Sequence, residues 1–310
     1  MALIFFDLEG PLTFQDCAYE LMRKVGAGRV FEAISRYDDI LTLEGREGYE
    51  PGDTLFLIYP FLLLYGIREE DIAGIADNAR ITEGACELVS RLKEKGWGVY
   101  SISTSYFPYA RRICEAVGID IENLASTLIE LDWELSKEER RAIKEVEDFL
   151  NSEDSEGRIR ERLDRFFWEE LPGMPVYEKM RNIKPCGGRR KVDALLRFAK
   201  DTPLEEICAV GDSITDIRML EFVRDGGGLS VAFNANEYAL PFSNLALASR
   251  SILDLYPALL IWEGGVEKVR EFALSSDKFS WIPDLDDLSK VLVSHKKMRM
   301  ILRGEAGKLG

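Results

Sequence analysis

Four short apolar runs constrain the fold more than any other feature of this 310-residue chain. They cover residues 2–6, 99–103, 207–210 and 229–233, and they are rich in Ile, Val, Phe and Ala. None shows the polar–apolar alternation of a half-exposed strand. Continuous apolar runs of this length are typical of strands buried on both faces of a parallel sheet. The chain is therefore predicted to contain a mostly parallel sheet.

Helical patterns alternate with these runs. Residues 83–95, 110–117 and 191–199 carry apolar side chains at helical spacing, and glycines end the first two segments. Repeated strand–helix–strand order indicates a doubly wound α/β fold. We predict that its core is assembled from residues 1–13, 82–130 and 183–262.

Two further segments interrupt this alternation. Residues 14–81 are helical in pattern and rich in aromatic residues, and we predict that they form a helical cap. Residues 131–182 contain two charged helical runs separated by a polar break, which predicts a helical hairpin insertion. The second run has one apolar face, formed by Leu163, Phe166, Phe167 and Leu171.

The C-terminal segment, residues 263–310, shows no strand pattern and is predicted to be a helical extension. Its last twenty residues are basic, with Glu305 the one acidic residue among Lys296, Lys297, Arg299, Arg303 and Lys308. We expect a solvated helix here; a docking element for a protein partner is the alternative. The single histidine, His295, lies in this tail, so a histidine-based catalytic triad is not expected.

Composition excludes several classes of protein. Asp and Glu number 55 against 40 Lys and Arg, and a net charge of -15 argues against nucleic-acid binding. The five cysteines are widely spaced without a C-x-x-C pair, which favours reduced thiols in the cytoplasm over disulfides or structural zinc. The N-terminus lacks a basic signal-peptide region, and Pro60 interrupts the most apolar run, so membrane insertion is not expected.

Acidic residues follow two of the predicted strands. Asp7 and Glu9 come directly after the first run, and Asp212 and Asp216 follow the third. The carboxyl ends of parallel strands meet at one edge of the sheet, so we expect four carboxylates in one crevice. They would repel one another without a cation, and oxygen ligands suit Mg²⁺. We therefore predict a magnesium site at Asp7, Glu9, Asp212 and Asp216.

Groups suited to bind phosphate lie near the same edge. Ser103 and Thr104 end the second run and offer hydroxyl groups and backbone amides. Lys191 opens a helix that precedes Asp212 and supplies a positive charge. Lys184, seven residues earlier, is the alternative for that role.

Four stretches, in chain order, resemble the four motifs of the haloacid dehalogenase-like (HAD) phosphohydrolases. They are IFFDLEGPLT, VYSIS, KVDALL and GDSITD, and together with their surroundings they cover about half of the chain. A fifth stretch, GLSVAFNANEYA, is similar to the segment that follows the fourth motif in phosphoserine-phosphatase-like members. The resemblance implies a Rossmann-like core that carries a cap.

The resemblance also implies a role for each matched residue. Asp7 would attack phosphorus, and Glu9 would act as the general acid and base. Ser103, the adjacent Thr104 and Lys191 would hold the phosphoryl oxygens. Mg²⁺ would be held by Asp7, the backbone carbonyl of Glu9 and Asp212, with Asp216 orienting Lys191 or a metal-bound water.

The first motif departs from the usual family pattern at two positions. Glu9 stands where most of these phosphatases have Asp, and Pro11 stands where Thr or Val is usual. This form is also similar, more faintly, to an archaeal family described as subunit R of an energy-converting hydrogenase. We expect a Mg²⁺-dependent phosphatase acting on a small phosphorylated metabolite. The alternatives are a regulatory or accessory subunit with the same fold, or a phosphotransferase or mutase.

Overall fold

A seven-stranded sheet lies at the centre of the computed structural model, which describes residues 1–304 and 307. Its strands are β1 (Leu3–Phe6), β2 (Gly98–Tyr106), β3 (Leu124–Thr127), β4 (Ile207–Gly211), β5 (Leu229–Phe233), β6 (Leu245–Leu247) and β7 (Phe279–Trp281). They lie in the order β3-β2-β1-β4-β5-β6-β7. All neighbours are parallel except β6 and β7. This arrangement confirms the mostly parallel sheet.

Fifteen α-helices surround the sheet within the described part of the chain. They are α1 (Cys17–Lys24), α2 (Gly28–Leu43), α3 (Thr54–Leu57), α4 (Tyr59–Leu64), α5 (Glu69–Ile75), α6 (Ala85–Glu94), α7 (Phe107–Val117), α8 (Lys137–Ser152), α9 (Glu156–Arg165), α10 (Val176–Met180), α11 (Arg189–Ala199), α12 (Ile217–Asp225), α13 (Tyr256–Trp262), α14 (Val266–Leu274) and α15 (Ser289–Arg303).

Both faces of the sheet are covered, as the apolar runs predict. In β1, Ile4 and Phe6 belong to one hydrophobic core, whereas Leu3 and Phe5 belong to a second core. Successive side chains of a strand point to opposite faces, so the two cores lie on opposite sides of the sheet. Residues of α6 and α7 pack in the first core and residues of α11 and α12 in the second. The doubly wound α/β prediction is confirmed.

The strand content of the C-terminal segment differs from the prediction. Residues 279–281 form β7, which pairs antiparallel with β6 through Leu245 and Trp281. The prediction of a wholly helical extension after residue 262 is therefore wrong at this strand. A three-residue edge strand is too short to produce the apolar run that reveals the buried strands.

The two helical insertions pack against each other and form one cap. Tyr37 of α2 stacks on Phe167 with ring centroids 6.3 Å apart, and Phe61 of α4 contacts Phe166 at 6.3 Å. Trp168 donates a hydrogen bond from Nε1 to the Tyr37 hydroxyl at 2.7 Å. The predicted apolar face of the second hairpin helix is fully buried at Leu163, Phe166, Phe167 and Leu171. Residues 14–81 and 131–182 thus bury their apolar faces against each other.

The C-terminal helix is not solvated, which corrects the expectation for the tail. On α15, His295 is 1% exposed and Arg299 is 3% exposed. Residues four apart lie on one helix face, and this face also carries Arg303. The Nδ1 atom of His295 accepts a hydrogen bond from the Ala235 amide at 2.9 Å, directly after β5. Glu305 and Lys308 of the basic tail lie outside the described residues.

Docking of α15 is expected to weaken in acid because of His295. Burial lowers the pKa of His295 from 6.5 to about 4. The imidazole therefore binds a proton more tightly in the unfolded chain than in the folded protein. The stability that comes from keeping the buried imidazole neutral is complete above pH 6.5 and is lost as the pH falls towards 4. Its maximum is about 3 kcal/mol. We expect the difference in unfolding free energy between wild type and His295→Gln to shrink over this range in urea titrations. A pH-independent difference would contradict the neutral, buried imidazole.

Two further observations concern the chain as a whole. All five cysteines are free thiols, and four of them are buried. Among the described helices, none combines the length and apolar character needed to span a bilayer.

Candidate active site

Three carboxylates meet where the strand order reverses. The chain leaves β1 for β2 on one side, and β4 lies on the other, which creates a crevice at the carboxyl ends of β1 and β4. The Asp7 amide donates to the Val210 carbonyl at 2.8 Å, which joins the two strand ends. Oxygens of Asp7, Asp212 and Asp216 all lie within 4.8 Å of one another. The predicted convergence is therefore present for three of the four carboxylates.

Gly10 allows the loop after β1 to approach Asp212. Its φ of +106° lies in a region that L-residues with a side chain rarely adopt. A Cβ atom at this position would lie 2.4 Å from the Asp212 carboxylate carbon. A residue with a side chain here would displace the Asp212 carboxylate, so the glycine is a steric requirement of the site.

Lys191 lies fully buried between two of these carboxylates. Its Nζ atom is 2.9 Å from Oδ1 of Asp7 and 2.6 Å from Oδ1 of Asp216. Burial alone would lower the pKa of this amine, but the attraction of Asp216 and Asp7 outweighs it and raises the pKa above its ordinary value. Lys184 is exposed to solvent. The structure therefore brings Lys191, and not Lys184, to the carboxylates.

Asp216 shapes the loop after β4. Its Oδ2 atom accepts hydrogen bonds from the amides of Asp212 at 2.9 Å and Ser213 at 3.1 Å. Its other oxygen accepts from Lys191. Both oxygens are thus engaged, and the side chain acts as a cap of the following helical turn as well as a partner for the lysine.

The Glu9 carboxylate is not part of the cluster, which departs from the expectation of four converging carboxylates. Its Oε1 atom accepts a hydrogen bond from the Cys17 amide at the start of α1, at 2.8 Å. Burial, followed by repulsion from Asp16, raises the pKa of Glu9 to about 8. The raised pKa favours the protonated form of Glu9, which can donate a proton.

The hydroxyl groups near the carboxyl end of β2 occupy different positions. Ser103 is fully buried, and its Oγ atom accepts a hydrogen bond from the Ser105 amide at 3.1 Å. The Thr104 hydroxyl donates to the Cys186 carbonyl at 3.2 Å. Thr104 and Ser105 line the cavity beside Asp7, whereas Ser103 does not. Of the two hydroxyl-bearing residues predicted to contact phosphate, Ser103 and Thr104, the structure places Thr104 at the cavity wall.

The carboxylates fit a hard divalent cation. The Oδ1 atom of Asp212 is buried and has no hydrogen-bond partner among the described residues. Burial, together with the charges of Asp216 and Asp212, raises the pKa of Asp7 well above its ordinary value, a repulsion that a cation would offset. Because the cluster offers only carboxylate oxygens, it suits Mg²⁺ better than metals that prefer sulfur or nitrogen ligands.

Two arginines of the C-terminal helix contact Asp212, and the sequence analysis missed both. Arg299 donates from Nη1 to Oδ2 of Asp212, and Arg303 donates to the same oxygen at 2.9 Å. Arginines within a basic segment are expected on a solvated face. The spacing of His295, Arg299 and Arg303 at four-residue intervals was the available signal of a buried polar stripe.

A cavity of about 100 Å³ lies between the cap and the core. Asp7, Glu9 and Thr104 line it from the core, while residues from α1 and α2 close it from the cap. One of the cap residues is Asp38, which accepts a hydrogen bond from the Tyr49 hydroxyl at 2.6 Å. Burial raises the pKa of Asp38 to about 7. The cavity is thus a partly open chamber between cap and core, beside the carboxylate cluster and lined by several acidic side chains.

The chain is similar in sequence to phosphoserine phosphatases. No protein-family model matches the chain. A phosphoserine phosphatase from Archaeoglobus fulgidus is 24% identical over 257 residues, which cover 83% of this chain and 59% of that protein. The chain therefore spans about three fifths of that relative's length. A phosphoserine phosphatase from Methanocaldococcus jannaschii is 23% identical over 253 residues, covering 82% of this chain and 95% of the relative.

Solved structures share the fold. The gene product AF1437 from Archaeoglobus fulgidus superimposes with a TM-score of 0.90 and 30% identity, covering 100% of this chain and 99% of that one. An apo phosphoserine phosphatase superimposes with a TM-score of 0.54 and 17% identity, over 83% of this chain and 98% of the other. The chain is therefore similar in sequence to phosphoserine phosphatases and shares their fold.

Proposed function

We propose that this protein is a Mg²⁺-dependent phosphatase that hydrolyses a small, cytoplasmic phosphorylated metabolite through an aspartyl-phosphate on Asp7. The observation that carries the proposal is Lys191, held between Asp7 and Asp216 beside the unpartnered oxygen of Asp212. Two further findings support it. The curated relatives are phosphoserine phosphatases, and one of the structures with the same fold is a phospho-aspartyl intermediate analogue of such an enzyme.

The first half of the proposed reaction transfers the phosphoryl group to Asp7. A carboxylate oxygen of Asp7 forms a bond to phosphorus while the bond between phosphorus and the ester oxygen breaks. The leaving oxygen takes a proton from Glu9, whose raised pKa keeps that proton available. Lys191 holds the Asp7 carboxylate in place and supplies positive charge for the phosphoryl oxygens.

The second half removes the phosphoryl group with water. Glu9, now a carboxylate, accepts a proton from the water that attacks phosphorus, and the bond to Asp7 breaks. Asp7 and Asp212 would hold Mg²⁺, and when bound the ion neutralises charge on the phosphoryl oxygens. Thr104 and Ser105 line the cavity and would contact the transferred group through their amides or hydroxyls.

The position of the cavity bears on the substrate. It lies between the core and the cap, so a substrate whose phosphoryl group reaches Asp7 has its leaving group near residues of α1 and α2. We propose a small substrate whose leaving group contacts the cap.

A screen of the full-length protein against a panel of phosphorylated metabolites, with and without Mg²⁺, tests this function. Phosphate release that requires Mg²⁺ and stops in chelator is the expected result. If no compound of the panel is hydrolysed, the proposal fails and an accessory subunit with this fold becomes the better interpretation. Transfer of the phosphoryl group to a second metabolite would favour a phosphotransferase or mutase.

Replacing Glu9 with Gln is expected to lower turnover by roughly 10²-fold or more, the range of a lost general acid and base. Gln is similar in size and keeps an oxygen that can accept from the Cys17 amide. If hydrolysis of the intermediate becomes the slowest step, acid quenching should trap phosphoenzyme. Glu87→Gln, on the exposed face of α6, is the control. A Glu9→Gln rate near that of wild type would assign Glu9 to a structural role.

A further inference from the structure

The last turn of helix α15 brings a guanidinium group into the cavity. Arg303 lines the chamber together with Asp7, Glu9 and Asp16, and its side chain is 6% exposed. It donates from Nη1 to Oδ2 of Asp212 at 2.9 Å. More than nine-tenths of this charged side chain is buried in the site, although Arg303 lies far from the core motifs in sequence. Burying a charge is costly, so we expect the side chain to have a function there.

The hydrogen bonds of Arg303 are incomplete. Its Nε atom is buried and has no partner among the described residues. Buried polar groups of native proteins are nearly always hydrogen-bonded, and exceptions cluster where a ligand or ion binds. Nε and an adjacent terminal nitrogen form the planar edge that guanidinium groups use for phosphate oxygens.

The electrostatic surroundings keep this side chain charged. Burial on its own would lower the pKa of Arg303, but the charges of Asp212, Asp16, Glu9 and Asp7 outweigh burial and raise it. The guanidinium therefore faces the same carboxylates between which the phosphoryl group must be placed. An anionic group entering this cavity needs such a cation, because the carboxylates alone would repel it.

Arg299, one helical turn earlier, has a different set of contacts. Its Nε atom donates to the Gly307 carbonyl at 3.0 Å, and Nη1 reaches both the backbone carbonyl and the carboxylate of Asp212. These bonds tie α15 to the loop after β4 and hold the carboxylate of Asp212. Arg299 is thus a positioning residue, and Arg303 is the arginine that retains an unpartnered donor.

We propose that Arg303 binds an anionic oxygen of the phosphorylated substrate, so that the C-terminal helix supplies part of the substrate site. The inference rests on the proposed phosphatase function for the identity of the anion. The C-terminal helix would thus supply a cation to a site otherwise formed by the four motif segments. In this arrangement, Asp212 uses Oδ2 to hold the arginines and keeps Oδ1 for a metal ion.

Binding of inorganic phosphate to the full-length protein in the presence of Mg²⁺, measured by calorimetry, tests the proposal. Arg303→Ala should weaken phosphate binding about 10- to 100-fold, the range for a lost charge-assisted hydrogen bond. Arg303→Lys should restore part of the affinity, because it returns the charge without the fork. Lys297→Ala, which removes one charge from the exposed side of the same helix, should bind phosphate like wild type.

Turnover separates substrate binding from a purely structural effect. We expect Arg303→Ala to raise KM more than it lowers kcat, with only a small fall in melting temperature because Asp212 keeps its contact with Arg299. If Arg303→Ala does not fold, Arg303→Lys decides, since weaker phosphate binding at a wild-type melting temperature supports the proposal. Unchanged phosphate affinity overturns it, as does absence of phosphate binding to the wild type. Tighter binding with faster turnover also overturns it and would identify α15 as an inhibitory element.

The outcomes distinguish this proposal from the proposed function. Phosphate binding that depends on Arg303 in a protein that hydrolyses no metabolite supports the anion site and contradicts the phosphatase. Hydrolysis that does not respond to Arg303→Ala supports the phosphatase and contradicts the role of Arg303.

Discussion

Replacing Asp7 with Asn is expected to abolish phosphate release, by roughly 10⁴-fold or more, and to prevent phosphoenzyme formation. Asn has nearly the shape of Asp, but its amide is not a nucleophile towards phosphorus. The substitution also removes one of the three charges that converge on the proposed metal position. Steady-state phosphate release and acid-quench labelling with a phosphorylated substrate would measure both effects.

The variant should remain folded, which makes the loss of activity interpretable. The Asp7 carboxylate is buried and repelled by Asp216 and Asp212, although it is paired with Lys191. A neutral amide removes that repulsion together with the pairing, so the two effects on stability oppose each other. Asp193→Asn, at an exposed position of α11, is the control for the loss of one acidic charge. Retention of most of the turnover in Asp7→Asn would contradict the covalent mechanism.

The parts of the site that could be predicted from sequence are those encoded locally at strand ends. The runs before Asp7 and Asp212 are apolar because both faces of the parallel sheet are covered, and this pattern does not depend on distant contacts. Parallel strands deliver their carboxyl ends to one edge, so the topology brings together residues that are about 200 positions apart. For the same reason, the convergence of Asp7 with Asp212 did not require knowledge of the cap.

The remaining features depend on contacts between segments that are distant in sequence. The cap could not be predicted as one unit, since the apolar face of the hairpin shows that a partner exists without identifying α2 and α4 as that partner. The prediction of a solvated C-terminal helix is wrong because arginines in a basic helix usually face solvent, whereas these are buried. Burial of Arg299 and Arg303 is explained by Asp212, which lies 87 and 91 residues earlier. The direction of the Glu9 side chain likewise depends on the Cys17 amide at the start of the cap.

Replacing Lys191 with Met is expected to produce the largest loss of stability among the site variants. Met has a similar length but no charge and no donor, so Asp7 and Asp216 would lose the cation that lies 2.9 and 2.6 Å from them. Removing one partner of a buried ion pair typically costs about 3–5 kcal/mol because an uncompensated charge remains. Urea unfolding in chelator would measure the change, and activity should be lost as well. Lys184→Met, at the exposed alternative position, should change neither quantity.

The dependence of that loss on pH and on Mg²⁺ would identify its cause. Burial already raises the pKa of Asp7 above that of the unfolded chain, and without the amine nothing offsets this effect, so the penalty develops as the pH rises above about 4. Protonation in acid removes it, and Lys191→Met should approach the stability of wild type there. Mg²⁺ should also recover part of the loss at neutral pH, because a cation that binds only the native state stabilises it. A loss independent of both pH and Mg²⁺ would instead indicate that Lys191 stabilises the fold through packing, since only the electrostatic role responds to the charge of its neighbours.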